Sequence, residues 1–278
     1  MRTEDGSFHT GENRDGGQYY LHQLVAGSAG IAGTDSAPIR TEKPAARRAG
    51  HDVLHAVYTD LLDHLVLDDG HRQDLRRRGL ADNQIDRLGY KSLPIRGRTA
   101  LAARLSDYHD DDVLAVPGIV LRNERITIAG AAGILIPVRD VEGRIAALVV
   151  RSDDGPRYTY LSSRKYGGPG AIAEPHVPLG VVAPIVRARL TEGILKADVA
   201  FALSDLPTVG VAGVGSWRRA ITALQSLKCR TVLLSFDRDA LVNPVVAGAM
   251  RSCADALKCS GFRVQIEKWN PFPERKCF

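Results

Sequence analysis

No stretch of this 278-residue chain is apolar for long enough to cross a bilayer, which takes about 18 consecutive apolar residues. Met1–Asp15 is polar and acidic, unlike a secretory signal, so the expected location is cytoplasmic and no membrane partner is expected. None of the four cysteines (Cys229, Cys253, Cys259, Cys277) stands in a C-x-x-C pair, so a zinc ribbon has no support. Their spacing also suits a disulfide framework poorly in a chain this long. Cys229, Cys253 and Cys259 read as small packing residues. No internal repeat is visible. Charge of one sign is not in great excess: 37 Lys and Arg against 32 Asp and Glu leave +5. That balance permits binding to nucleic-acid phosphates without requiring it. What is present is ordinary globular material, 44% hydrophobic and 25% charged, enough for one large domain or two to three small ones.

Residues 1–50 read as a disordered tail, rich in Gly, Ser, Thr, Asp, Glu and Arg, with one short apolar patch over Leu21–Ile31. From His51 to Leu67 the apolar residues recur at three- and four-residue steps and predict an amphipathic helix. A second helix is expected over His71–Arg78, stopped at Gly79. A third runs over Asp82–Leu88 with Asp82 as its N-cap, and a fourth over Thr99–Leu105. These make a helical module, residues 51–120.

The pattern then changes to period two. Arg125–Ala129, Gly133–Val138, Arg144–Val150 and Arg157–Leu161 read as strands, with Asp140–Gly143 as a hairpin turn. They predict an antiparallel β module, residues 121–184. From residue 185 to 278 strand and helix alternate. Strands are expected over Ile185–Leu190, Thr208–Ala212, Thr231–Phe236 and Phe262–Trp269. Helices are expected over Ile194–Leu206, Trp217–Leu227 (Ser216 as N-cap) and Pro244–Lys258 (Asn243 as N-cap). The fold class is therefore α/β, a βαβαβαβ parallel sheet preceded by antiparallel β and helical modules.

In open parallel sheets ligands bind at the carboxyl ends of strands. Glu192 follows the first of these strands and Asp237 the third. With strand order 2-1-3-4, Glu192, Asp237 and Asp239 converge at one rim. Three such carboxylates repel one another unless a cation sits among them, and hard oxygen donors suit Mg²⁺ or Mn²⁺. A lone D-x-D is weak, since Asp239 or Asn243 can simply cap the next helix. Its pairing with Thr191-Glu-Gly193 is more specific.

Thr191-Glu-Gly193 followed by Phe236-Asp-Arg-Asp239 resembles the toprim domain of bacterial-type primases, topoisomerases and several nucleases. Gly133–Asp140, Glu142–Ile145, Asp154–Tyr158 and Leu161–Ser163 resemble the segment that precedes toprim in bacterial primases. His71–Leu80 and Ile85–Tyr90 resemble the primase helical segment. Thr191–Asp198, Gly213–Trp217, Phe236–Asp239 and Asn243–Ala249 look closest to the plasmid- and phage-type toprim proteins of the DUF3854 group. The resemblance implies a nucleotidyltransferase of plasmid or phage DNA replication, acting on a single-stranded DNA template with nucleotides, and working beside a helicase or other replication protein. It implies Glu192, Asp237 and Asp239 as catalytic residues and as ligands of Mg²⁺ or Mn²⁺. It places Arg139, Arg151 and Arg157 toward template and nucleotide, while each also reads as ordinary solvated charge. Lys196 reaches a phosphate or pairs with a carboxylate, and Asp198 reads as a surface residue. Gly213 and Gly215 open a helix where backbone N–H groups can cradle a phosphate, or simply make the turn. Trp217 reads as core. The same carboxylates serve a toprim nuclease when water attacks, or persist as a relic in a non-catalytic nucleic-acid-binding protein. No Cys/His zinc module precedes the helices and no further acidic motif follows Trp269, features that related proteins commonly have.

Overall fold

A computed structural model describes residues 9–12, 18–21, 46–154, 158–213, 215–236 and 244–267. The chain divides into two compact units, residues 1–43 and 44–278. In the first, β1 (His9–Glu12) and β2 (Gln18–Leu21) pair antiparallel, His9 opposite Leu21 and Glu12 opposite Gln18. This hairpin falls within the stretch that the composition marks as a tail. Thr10, Tyr19 and Tyr20 are good strand formers, but four-residue strands are too short to show a period.

The second unit begins with α1 (His51–Asp63), which buries Leu54, Val57, Tyr58, Leu61 and Leu62. It ends at Asp63, short of Leu67, although Leu65 remains in the same buried cluster. α2 (Asp69–Arg77) closes in a Schellman motif. Gly79, at φ +100°, donates to Arg76 O at 2.9 Å, and Leu80 N–H reaches back to Leu75 O at 3.3 Å. Leu75 and Leu80 then share one apolar cluster. α3 (Asp82–Leu88) has Ala81, not Asp82, as its N-cap. Gln84 Oε1 accepts the Ala81 N–H at 2.9 Å, while the Asp82 carboxylate is taken by Arg72 and Arg76. α4 (Arg98–His109) is longer than its apolar pattern predicts.

Two strands that the sequence does not announce complete this half. β3 (Lys91–Leu93) joins β6 (Gly133–Arg139), β7 (Ile145–Ser152) and β8 (Tyr158–Tyr160) in a sheet ordered β3-β6-β7-β8. β4 (Ile119–Arg122) pairs with β5 (Arg125–Ile128) as a separate hairpin. The turn at Asp140–Gly143 forms as expected, with Asp140 Oδ1 accepting the N–H groups of Glu142 and Arg144.

β6 and β7 are buried on both faces. Leu135, Leu148 and Val150 pack with Leu54, Val57 and Leu105 of α1 and α4. Ile134, Ile136, Val138, Ala147 and Val149 pack on the other side with Leu75, Ile85 and Leu88 of α2 and α3. A strand covered on both faces reads as a continuous apolar run, which is why these two stand out in sequence.

The remaining elements are β9 (Arg187–Glu192), α5 (Ile194–Ser204), β10 (Thr208–Val211), α6 (Arg218–Ser226), β11 (Thr231–Ser235), α7 (Pro244–Cys259) and β12 (Arg263–Ile266). All four strands are parallel, in the order β10-β9-β11-β12, which is the 2-1-3-4 arrangement. Ser216 is not the N-cap of α6: Trp217 occupies that position, and Ser216 N–H closes a turn onto Gly213 O at 2.8 Å. Asn243 lies outside the described residues. α6 and α7 share one face of the sheet, where Trp217, Leu224, Cys253 and Leu257 meet Leu190, Val209 and Leu234. α5 takes the other face, as right-handed crossovers require, and turns Ile194 and Leu195 toward β6 and β7.

Candidate functional site

The rim of the parallel sheet is set by its strand ends. Glu192 is the last residue of β9, opposite Val211 of β10. Thr191 Oγ1 donates to Ser235 O at 2.8 Å, so β9 and β11 are tied together at their carboxyl ends. Buried Phe236 follows Ser235. Asp237 and Asp239 come next in the chain and lie outside the described residues.

Gly193 turns the chain from β9 into α5 at φ +99°, a conformation that side chains with a Cβ rarely adopt. Its N–H donates to Val211 O at 2.7 Å. At Gly210 an added Cβ would come within 2.9 Å of Ala197 Cβ and 3.0 Å of Gly193 O. Glycine at both positions lets β10 and the start of α5 close on each other and fixes the backbone around Glu192.

The half-buried Glu192 lines a cavity of about 180 Å³ with Tyr158, Tyr160, Lys196 and Ala212. Its Oε1 lies 4.0 Å from where a Cβ on Gly213 would sit, so the loop after β10 stands against the carboxylate. An added Cβ at Gly215 would meet no described atom within 4 Å. The Tyr160 hydroxyl is buried and has no hydrogen-bond partner among the described residues. Burial pushes its pKa up to about 12, so it stays a donor at neutral pH.

A groove of about 460 Å³ continues along α5, lined by Arg78, Tyr158, Arg189, Thr191, Lys196 and Ser235 among others. The exposed Lys196 borders both spaces. Arg189 is held by Glu267 through paired bonds of 2.8 and 3.0 Å. Hydrogen bonding from Arg189 holds the Glu267 carboxyl below the usual range, against the opposing effect of burial. Sequence alone does not single out Arg78, Tyr158 or Arg189. For Arg189 the signal in the sequence is its spacing, two residues before Thr191 and so on the same side of the strand.

Other expected positions fall elsewhere. The Arg139 guanidinium donates to Gly143 O and Leu88 O, at 3.2 and 3.3 Å. It is committed to the hairpin turn and the end of α3. Burial lowers its pKa, while the nearby Asp198 and Tyr90 oppose the shift. Arg151 Nη1 donates to Asp74 of α2 at 2.6 Å. Both arginines, which the resemblance places toward template and nucleotide, have these partners within the fold. Arg157 lies outside the described residues. Trp217 is buried core, and the Arg218 guanidinium lies 4.6 Å from its ring centroid. Asp198 is not a surface residue: it is 2% exposed, and Tyr90 and His176 both reach it.

Among the described residues no three His, Cys, Asp or Glu side chains gather into a metal-binding group. Glu192 brings a carboxylate, a hard oxygen ligand, to the lining of a cavity, which is chemistry that fits Mg²⁺ or Mn²⁺.

No family model and no curated protein sequence matches the chain. Solved structures do. The Aquifex aeolicus primase, comprising zinc-binding and RNA polymerase domains, is 16% identical with a TM-score of 0.59, over 78% of this chain and 55% of that one. This chain thus spans just over half of that structure's length. The RNA polymerase domain of the Mycobacterium tuberculosis primase DnaG, in complex with double-stranded DNA, is 17% identical with a TM-score of 0.60, over 78% and 72%. A DnaG primase catalytic domain bound to single-stranded DNA is 18% identical with a TM-score of 0.56, over 78% and 73%. The chain has the fold of a bacterial primase catalytic core.

Proposed function

We propose that this chain is a primase-like nucleotidyltransferase that builds an oligonucleotide on a single-stranded DNA template. The observation that carries this reading is the position of Glu192. It closes β9 at the switch point of a primase-type core, beside a groove walled by Arg78 and Lys196.

In this reading the groove holds the incoming nucleotide. Lys196 meets its phosphates through charge-assisted hydrogen bonds, joined by the outer N–H groups of Arg78, whose Nε is held by Asp74 at 3.0 Å. Tyr160 lines the cavity, and the Tyr158 ring, 47% exposed, offers a face on which a base stacks. Asp237 and Asp239 join Glu192 as ligands of Mg²⁺ or Mn²⁺, because they follow the strand whose end Thr191 ties to β9. When bound, such a cation neutralises phosphate oxygens and favours ionisation of the attacking hydroxyl. A bond forms between the 3′-oxygen of one nucleotide and the α-phosphorus of the next, the α–β phosphoanhydride bond breaks, and pyrophosphate leaves. Glu192 orients the reacting groups, and positioning with electrostatics supplies most of the rate. The motif resemblance assigns the setting, replication of a plasmid or phage beside a helicase or other replication protein.

The test incubates the chain with single-stranded DNA, labelled nucleotides and Mg²⁺ or Mn²⁺, in parallel with Glu192→Gln. Labelled oligomers from the wild type and none from a folded variant are expected. Shortened DNA would replace this reading with phosphodiester hydrolysis. No metal-dependent product, with DNA binding intact, would overturn it.

A further inference from the structure

Four chain segments far apart in sequence meet around one buried carboxylate. Asp198 of α5, 2% exposed, accepts the Tyr90 hydroxyl at 2.5 Å and lies 2.9 Å from His176 Nε2. His176 is itself 1% exposed. Its Nδ1 lies 3.0 Å from the backbone nitrogen of Arg139, at the end of β6. A backbone N–H can only donate, so Nδ1 carries a lone pair and the ring proton sits on Nε2. Nε2–H therefore donates to Asp198, and the ring is neutral. The negative charge on Asp198 is met by two neutral donors and by the nearby Arg139 guanidinium.

The main chain of His176 adds a second set of ties. Its N–H and C=O bond Gly210 of edge strand β10 at 2.7 and 2.8 Å. Val177 N–H donates to Arg139 O at 2.9 Å. One residue thus bonds the parallel sheet through its backbone, and the end of β6 and helix α5 through its ring. α5 starts two residues after Glu192, and Gly210 is the position that presses on the first turn of that helix.

We infer that His176 and Asp198 form a clamp that positions Glu192 against the antiparallel sheet, a role that rests on the primase reading above. They are positioning residues, since neither lines the cavity of Glu192 or the groove along α5. Unequal loss of their bonds is the signature. In Asp198→Asn the amide must turn its NH₂ toward one of two donors. Facing His176, it forces the ring proton to Nδ1, against the Arg139 N–H; facing Tyr90, it keeps the His176 bond but leaves the buried phenolic O–H without its acceptor.

The experiment measures primer synthesis by the full chain well below the melting temperature of every variant. Asp198→Asn is expected to lower kcat about ten- to hundred-fold, the scale of a sub-ångström to ångström misplacement, with nucleotide KM and DNA affinity little changed. His176→Gln keeps a donor near the Nε2 position and is expected to retain more activity than His176→Leu. Full kcat in Asp198→Asn, or a loss confined to KM, would overturn the inference. If Asp198→Asn does not fold, the ordering of the two His176 variants decides, and equal activity in both would overturn it. If the wild type makes no product, the primase reading fails separately, and hydrogen exchange then tests the clamp. Amides of Gly210 and Ala197 should exchange faster in Asp198→Asn than in wild type while those of α4 do not change. Unchanged exchange at both amides would remove the clamp as well.

Discussion

The Thr191 hydroxyl donates to the carbonyl oxygen of Ser235, 44 positions along the chain, and so joins the two strand ends that flank the candidate site. Thr191→Val keeps the shape and removes the donor. The variant should lose about 1–2 kcal/mol of stability, as for one buried hydrogen bond whose acceptor is left dry. Urea denaturation reads this directly. On the proposed reading, primer synthesis should fall by more than the stability change explains, because Glu192 stands next to the tie that is lost.

Tyr160→Phe should melt at the same temperature as the wild type or higher. The hydroxyl is buried without a partner among the described residues, so removing it relieves a desolvated group. Thermal melting alone is decisive for this statement, which a clear loss of stability would contradict.

Lys196→Gln should weaken DNA or nucleotide binding and flatten its salt dependence. Removing one cation that neutralises a phosphate lowers the slope of log K against log salt by about one. A binding titration at several salt concentrations gives that slope, and an unchanged slope would take Lys196 away from the phosphates.

The pair of Glu267 and Arg189 makes stability depend on acid. Arg189 lowers the folded-state pKa of Glu267. The stabilisation is therefore complete above the unfolded carboxyl pKa, about 4.3, and is lost as pH falls through the lower folded value. Glu267→Gln should be less stable than wild type at pH 7, and the two should converge in strong acid. Parallel curves from pH 7 to pH 3 would show that ionisation of Glu267 contributes nothing.

Gly79→Ala should destabilise by about 1–2 kcal/mol, the strain of placing a Cβ in the left-handed region. A new Cβ would also meet Leu203 Cδ1 at 3.3 Å. Chemical denaturation measures it.

Much of the architecture is legible in the residues, for physical reasons that also mark the limits. The four parallel strands, their helices and the place of Glu192 follow from apolar runs broken by Gly and Pro. β3 does not, because Lys91-Ser-Leu93 has no period to read. Asp82 and Ser216 are good capping residues by type, yet Asp82 is drawn away by two arginines and Ser216 closes a turn. Charge type says nothing of direction, so the partners of Arg139 and Arg151 inside the fold are not legible in the sequence. Asp198 is hidden from sequence because Tyr90 lies 108 residues away and His176 lies 22.

The sheet of β6 and β7 is a shared wall. Its one side is the floor for α1 and α4, and its other side is where Ile194 and Leu195 of α5 come to rest. A cut in the segment between β8 and β9 would leave each fragment with a raw apolar surface, however self-contained the parallel sheet looks in topology. Swapping, fusing or minimising this protein should therefore begin at Lys43 and Pro44, where the chain divides between its two compact units and the shared wall stays whole.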